Sequence, residues 1–402
     1  MPRILTEHTK SLVRATVPAL AEHGTAITAA MYARLFQNEE VKALFNQSNQ
    51  GGEGRQTHAL AHAILAYAQN IDNLDVLTAA VERISQKHVS LRILPEHYPH
   101  VAAALLAAIK DVLGDAATDE ILAAWGEAYW FLADILMGRE ATIYTEQAAA
   151  DGGWNGWRDF VVESKQRESA LITSFVLRPA DGGPVSRHQP GQYITLLAPI
   201  PGKSPQRRNY SISSGPNGKT YRITVKREQQ GLVSSYLHDR VQEGSTVSLA
   251  PPAGDFVLAR CTKRPIVLLS GGVGLTPMVS MLESAVEDGI SAPLLYVHAA
   301  RHGDVHAMGV HVRTLAESHP DIKAAVFYTS PRITDEQGKH YDHHGRIDID
   351  WLSSNTPITE ADFYLCGPEA FLLAMVGGLE AKGVATDRIH YEFFGPTVEL
   401  SL

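Results

Sequence analysis

The 402-residue chain is 45% hydrophobic and carries a formal net charge of −9, so it can fill two or three domain cores but lacks the basic face that a nucleic-acid backbone demands. Its two cysteines, Cys261 and Cys366, supply neither a disulfide framework nor metal-ligand spacing, which fits a reducing, cytoplasmic compartment. No N-terminal apolar stretch with a small-residue cleavage site is present, and no apolar run approaches the roughly 20 residues of a membrane span.

Residues 1–150 read as an all-α domain, rich in Ala and Leu with apolar residues at helical spacing. Val81, Ile84, His88 and Leu91 form one stripe. Trp125, Tyr129, Leu132, Leu136, Glu140 and Ile143 form another, and Pro95 and Pro99 mark a helix end and the next start. A lone histidine on such a stripe is more often a core residue than a ligand. Here other residues add weight. Glu140 interrupts large apolar neighbours, and a buried carboxylate is costly unless hydrogen-bonded, with Tyr98 a candidate donor. Tyr32 lies beside Thr28, Leu35 and Phe36, and Gln56 leads Leu60, Ala63, Ile64 and Tyr67, so two more polar groups sit on otherwise apolar faces. Together they describe a pocket with an imidazole able to hold haem iron on one side and hydrogen-bond donors on the other.

Asp151-Gly152-Gly153 breaks the pattern as a linker, and residues 151–260 change to short strands between Gly, Pro and Asp turns. Val161-Val162, Leu171 to Leu177 and Tyr221 to Val225 carry the strand signal, with one helix around Ser234 to Val241, and the spacing predicts an antiparallel β-barrel. Arg208-Asn209-Tyr210-Ser211 combines a cation for a pyrophosphate, an aromatic for an isoalloxazine ring and a hydroxyl for a flavin nitrogen. Pro190-Gly191-Gln192-Tyr193 precedes it. Gly231-Leu232-Val233-Ser234 follows at a helix start, where backbone N–H groups can bind phosphate.

Residues 261–402 alternate buried strands with helices, which predicts an α/β domain with a parallel sheet. Ile266 to Leu269 is continuously apolar and leads into Gly271-Gly272-Val273-Gly274-Leu275-Thr276-Pro277, a turn whose glycines let a dinucleotide approach the backbone. It is not the G-x-G-x-x-G fingerprint of ordinary dehydrogenases. Leu294 to Val297, Ala324 to Tyr328 and Phe363 to Leu365 repeat the strand signal, and Cys366-Gly367-Pro368 gives a second loop at a strand end. Taken alone, Cys366 reads as a small core hydrophobe.

The ordered set Phe45-Asn46, Gln56 and Leu60, Gln86-Lys87-His88, Pro95-Glu96-His97-Tyr98 and Arg139-Glu140 resembles the globin domain of a flavohaemoglobin. The later motifs resemble the FAD-binding barrel and nicotinamide domain of the ferredoxin-NADP reductase superfamily. Glu392-Phe393-Phe394-Gly395-Pro396 resembles the flavohaemoglobin segment that covers the flavin. The resemblance implies haem b, FAD and NAD(P)H as cofactors. It makes His88 the proximal ligand, with Tyr98 and Glu140 behind it, and Tyr32 the distal donor to dioxygen. Gln56 and Leu60 shape that pocket, Phe45 packs on the haem, and Lys87 lies near the route between haem and flavin. Phe394 lies against the flavin ring and Glu392 near the flavin–haem gap. The implied activity is that of a nitric oxide dioxygenase taking dioxygen and nitric oxide to nitrate, as a monomer, with a distal pocket apolar enough at Leu60 and Ile64 to admit a lipid or azole-like ligand. An oxygen store with a maintenance reductase, and a reductase serving an external acceptor, are the rival readings. No pattern selects NADH over NADPH.

Overall fold

The structure is a computed structural model that describes residues 3–45, 55–259, 263–289 and 292–395. Asn46 with residues 47–54, Cys261 and Pro396 lie outside those residues. The chain packs into two compact units. One holds residues up to Ala149 together with Pro201–Arg207, and the other holds Ala150–Ile200 and Arg208–Gly395.

The first unit is helical: α1 (Glu7–Ala15), α2 (Val17–Leu35), α3 (Glu39–Lys42), α4 (Arg55–Gln69), α5 (Thr78–Leu91), α6 (Tyr98–Leu113) and α7 (Asp119–Ala149). Their ends follow local chemistry. The Thr6 side chain caps α1 by accepting from the Thr9 amide, Asn38 caps α3, and prolines open α2 and α6, where a missing N–H costs nothing. α5 stops at Arg92, which adopts left-handed φ of 62°. Val13, Ile27, Met31, Ile71, Ile109 and Trp125 fill the core.

The stripe on α5 is only partly buried. Ser85, Val89 and Ser90 are its buried residues, whereas Val81, Ile84, His88 and Leu91 are half-buried. Helical periodicity finds the apolar face but cannot tell a core from a pocket wall. On α7 the stripe is buried at Trp125, Leu136, Glu140 and Ile143 and half-buried at Tyr129 and Leu132.

In the second unit, β1 (Arg158–Arg167), β2 (Ile172–Pro179), β3 (Tyr193–Ala198), β4 (Gln206–Ser211), β5 (Tyr221–Lys226) and β6 (Thr246–Leu249) form a sheet in the order β4-β3-β6-β1-β2-β5. β1 pairs antiparallel with β2 and β6, β2 with β5, and β3 with β6. Ile212, just past β4, bridges Ile223 of β5 and closes the sheet into a barrel. α8 (Leu232–Asp239) begins two residues before the expected helix because Gly231 supplies its extended N-cap. Lys165 holds its far end by donating to the carbonyls of His238 and Val241, both at 2.7 Å.

The parallel sheet runs β10-β9-β8-β7-β11-β12, from β7 (Ile266–Gly271), β8 (Leu294–Ala300), β9 (Ile322–Tyr328), β10 (His343–His344), β11 (Asp362–Cys366) and β12 (Ile389–Glu392). Helices α9 (Leu275–Asp288), α10 (Gly309–Glu317), α11 (Ile349–Asn355) and α12 (Glu369–Ala381) accompany it. β7 and β11 are buried at every position, as central parallel strands should be. They are neighbours, so the turns leaving their carboxyl ends lie side by side, the usual place for a ligand on such sheets. Among the described residues no helix is long and apolar enough to cross a membrane.

Candidate cofactor sites

In the first unit α5, α6 and α7 bring His88, Tyr98 and Glu140 together. His88 Nδ1 lies 2.7 Å from Glu140 Oε1 and 3.2 Å from the Tyr98 hydroxyl, and that hydroxyl donates to the same carboxylate oxygen at 2.6 Å. A carboxylate oxygen accepts, so Nδ1 is the donor of this bond, and in the neutral ring that tautomer leaves the lone pair on Nε2. Among the described residues Nε2 has no hydrogen-bond partner, and the His88 side chain is 31% accessible while Glu140 beneath it is 3%. This donor set fits haem iron: a neutral imidazole offering Nε2, its other nitrogen held by a buried carboxylate. Burial, and then the Glu140 charge, push the Tyr98 phenol above its usual range, so it stays a donor. Around this cluster Tyr129 donates to the Tyr98 carbonyl and Tyr144 to the Ile93 carbonyl, each at 2.8 Å, and Arg139 forks onto Glu82 at 2.6 and 3.0 Å. Lys87 is exposed, one residue before His88.

On α2, Tyr32 stacks on Phe36 with ring centroids 5.4 Å apart and meets Phe45 edge-on at 5.7 Å. Burial raises its phenol pKa and a side-chain hydrogen bond with Gln56 opposes that rise. The structure thus joins Tyr32 to Gln56, beside half-buried Leu60 and Ile64.

In the barrel, β4 places Arg208 and Tyr210 on one face and Asn209 and Ser211 on the other. Asn209 accepts from Thr195 of β3 at 2.9 Å, so it ties the strand to its neighbour. Burial lowers the Arg208 pKa and raises that of Tyr210, leaving a cation beside a neutral phenol. Tyr193 lies against Gly254, where a Cβ would sit 2.9 Å from the ring. At the start of α8 no side chain caps the helix, and the Ser234 hydroxyl is engaged with Gly231 and Glu228 of its own loop. The Val233 and Ser234 amides of that first turn, without a side-chain cap among the described residues, fit a phosphate.

In the turn after β7 only Gly272 and Val273 are accessible; Gly271, Gly274, Leu275, Thr276 and Pro277 are buried, so any ligand meets backbone there. Gly274 answers a protein contact, because its Cβ would lie 2.2 Å from the Cys366 carbonyl oxygen. Among the described residues the start of α9 also lacks a side-chain cap, which suits a dinucleotide's phosphates. Cys366 is fully buried, its thiol pushed up by burial and by Glu392, while Gly367 and Pro368 reach the surface. Glu392 ends β12, Phe393 and Gly395 are half-buried, and Phe394 is 47% exposed.

Sequence reasoning missed several residues. Ser270, at the end of β7, bonds His298 Nδ1 at 2.8 Å; His298 interrupts an apolar strand as Glu140 interrupts a helix, a signal that could have found it. Glu283 and His188 gave none, because their partners lie far along the chain.

A helical unit with a carboxylate-backed histidine, joined to a barrel and a parallel-sheet lobe with uncapped phosphate-ready helix starts, defines a haem- and flavin-bearing oxidoreductase. Family models agree: globin over residues 29–136, oxidoreductase FAD-binding domain over 159–258 and oxidoreductase NAD-binding domain over 268–376. The flavohemoprotein of Xylella fastidiosa strain 9a5c is 54% identical over 98% of this chain and 97% of its own. The solved flavohemoglobin of Malassezia yamatoensis, with bound FAD and haem, superposes with a TM-score of 0.87 at 27% identity over 97% of this chain and all of that one. The FAD/NAD-binding domain of a nitric oxide dioxygenase from Vibrio cholerae matches at 41% identity and a TM-score of 0.55 over 60% of this chain and 99% of that one. The chain belongs to the flavohemoprotein family, whose members are oxidoreductases using haem, FAD and a nicotinamide dinucleotide.

Proposed function

We propose that the protein is a cytoplasmic nitric oxide dioxygenase that spends NADH or NADPH to convert nitric oxide and dioxygen to nitrate. The observation that carries this reading is the His88–Glu140–Tyr98 cluster, set in one chain with an FAD- and NAD-binding module. The name of the Vibrio cholerae relative supports it. When bound, the nicotinamide supplies a hydride, FAD divides it into single electrons, and haem supplies the iron at which dioxygen is activated.

His88 would hold that iron through Nε2. Glu140, accepting from Nδ1–H, fixes the tautomer and raises the basicity of the ring, and Tyr98 fixes the carboxylate oxygen. Tyr32 retains its proton and, oriented by Gln56, would offer its hydroxyl as a donor to the dioxygen substrate. Phe45, Leu60 and Ile64 keep water out while passing small neutral gases. Arg208 and the amides of Val233 and Ser234 would take the FAD pyrophosphate, with Tyr210, Ser211, Tyr193 and Phe394 around the flavin. Gly272, Val273, Gly367 and Pro368 would take the nicotinamide dinucleotide. We assign Lys87 and Glu392 to the path of the electrons.

The test is nitric oxide consumption by haem- and FAD-loaded protein in aerobic buffer with NAD(P)H, with nitrate assayed as product. Fast, oxygen-dependent loss with matching nitrate is expected. Slow loss despite an intact haem spectrum and rapid NAD(P)H oxidation would overturn the proposal.

A further inference from the structure

Helix α9 leaves the nicotinamide-type turn, and one edge of it is bolted to the continuation of the flavin-type strand β4. Glu283 makes the strongest of these ties. Its Oε1 accepts from Arg222 Nη2 at 2.6 Å and from His311 Nε2 at 2.7 Å, and its Oε2 accepts from the Gly215 amide at 2.7 Å. Its side chain is only 18% accessible, and the paired donors hold its pKa below the usual carboxylate value against the opposing effect of burial. Ser280, one turn earlier on the same edge, donates to the Ser214 carbonyl at 2.7 Å. The buried His188 donates to that carbonyl from Nε2 at 3.0 Å. Gly215 lets the chains close up, since a Cβ there would meet Glu283 Cβ at 3.3 Å.

Three residues separate Ser211 from Gly215, and two turns of α9, about 12 Å, separate Leu275 from Glu283. A short path of rigid backbone therefore runs from the flavin motif through one carboxylate to the nicotinamide turn. Glu283 touches no part of either motif. It belongs to an ion-paired network whose members come from β5, from the turn after β4 and from α10.

We infer that Glu283 is a positioning residue for hydride transfer: it sets the spacing between the nicotinamide and the flavin. The inference rests on the assignment of residues 208–211 to FAD and 271–277 to the dinucleotide. Hydride transfer demands near-contact of the nicotinamide donor carbon and the accepting flavin nitrogen, and a misplacement of about 1 Å costs on the order of 100-fold in rate. A carboxylate with three charge-assisted hydrogen bonds is stiff enough to hold that tolerance.

The experiment uses full-length holoenzyme without oxygen, mixing Glu283→Gln and Arg222→Met, singly and together, with NADH and with NADH deuterated at the transferred position. Flavin bleaching gives the limiting rate and its isotope effect. Long-wavelength absorbance of the nicotinamide–reduced flavin pair reports ring stacking, and FAD content is measured on the same samples. We expect the limiting rate to fall at least about tenfold, the stacking absorbance to weaken, FAD content and half-saturating NADH to stay within about twofold, and the double variant to be no slower than the worse single one. A wild-type limiting rate in Glu283→Gln would overturn the inference, as would loss of FAD in proportion to loss of rate or additive single effects. Arg208→Ala serves as a separate check. If it kept its full FAD, the flavin assignment would fail, whatever Glu283 does.

Discussion

The histidine cluster of the first unit and the glycine turn of the second, the two places proposed here to hold a cofactor, are built by opposite means. The cluster works through side chains: an imidazole, a carboxylate and a phenol share one oxygen atom in a buried setting. The turn works through their absence. Gly274 passes against the Cys366 carbonyl, and only Gly272 and Val273 reach the surface. The lesson concerns tolerance. The cluster should be sensitive to subtraction of polar atoms and the turn to addition of a single carbon.

The largest effect expected is at Gly274→Ala. The added Cβ meets backbone that cannot rotate away, so the second unit should lose about 3 kcal/mol of stability and flavin reduction should fall on the order of 100-fold, read by thermal unfolding and stopped-flow bleaching. Gly272→Ala sharpens the point. Its Cβ meets nothing within 4 Å, so only its φ of 57° is penalised, at about 1 kcal/mol. Near-equal losses in the two variants would break the contrast.

Acid stability tests whether the second unit is as free of side-chain dependence as its turn suggests. Burial holds His188 neutral, with a pKa lowered to about 4 from the ordinary 6.5. The unfolded chain therefore binds the extra proton first. The stability from a neutral His188 is complete above about pH 6.5 and is lost as the pH falls toward 4, by up to roughly 3 kcal/mol. His188→Gln should flatten that part of the stability curve, and an unchanged slope would show that other groups govern it.

At the cluster, Glu140→Gln keeps the shape and removes the charge. Loss of one charge-assisted bond, about 1.4 kcal/mol, should raise the haem midpoint potential by roughly 60 mV in a spectroelectrochemical titration. Tyr98→Phe should do less, about 1 kcal/mol or below in stability with a smaller shift, because Glu140 keeps its bond to His88. A larger shift for Tyr98→Phe than for Glu140→Gln would mean that the phenol, not the carboxylate, sets the ligand's basicity.

The same contrast explains what could be read from the sequence. Glu140 and Tyr98 were legible because a polar residue in an apolar stripe must be satisfied somewhere. The turn from Gly271 to Pro277 was legible because it sits between a buried strand and a helix. The reason for Gly274 was not, since the carbonyl it avoids belongs to a strand more than ninety residues later. The apolar face of α5 was legible but its degree of burial was not, because one periodicity serves both core and pocket walls. Glu283 looks like any surface glutamate of a helix until Arg222 and Gly215 arrive from 61 and 68 residues away.

Residues Pro201–Arg207 interrupt the barrel sequence yet pack with the helical unit, where Arg207 donates to the Leu91 carbonyl at the end of the histidine helix. Chain order and structural membership therefore disagree for this segment. A gene fragment ending near codon 150 would encode every described helix of the first unit but leave Leu91 without that donor. Grafting the helical half onto a different reductase would keep the cap only if the new sequence carried an arginine at the same point. The two halves are less interchangeable, as cassettes for recombination or engineering, than the linker at residues 151–153 makes them look.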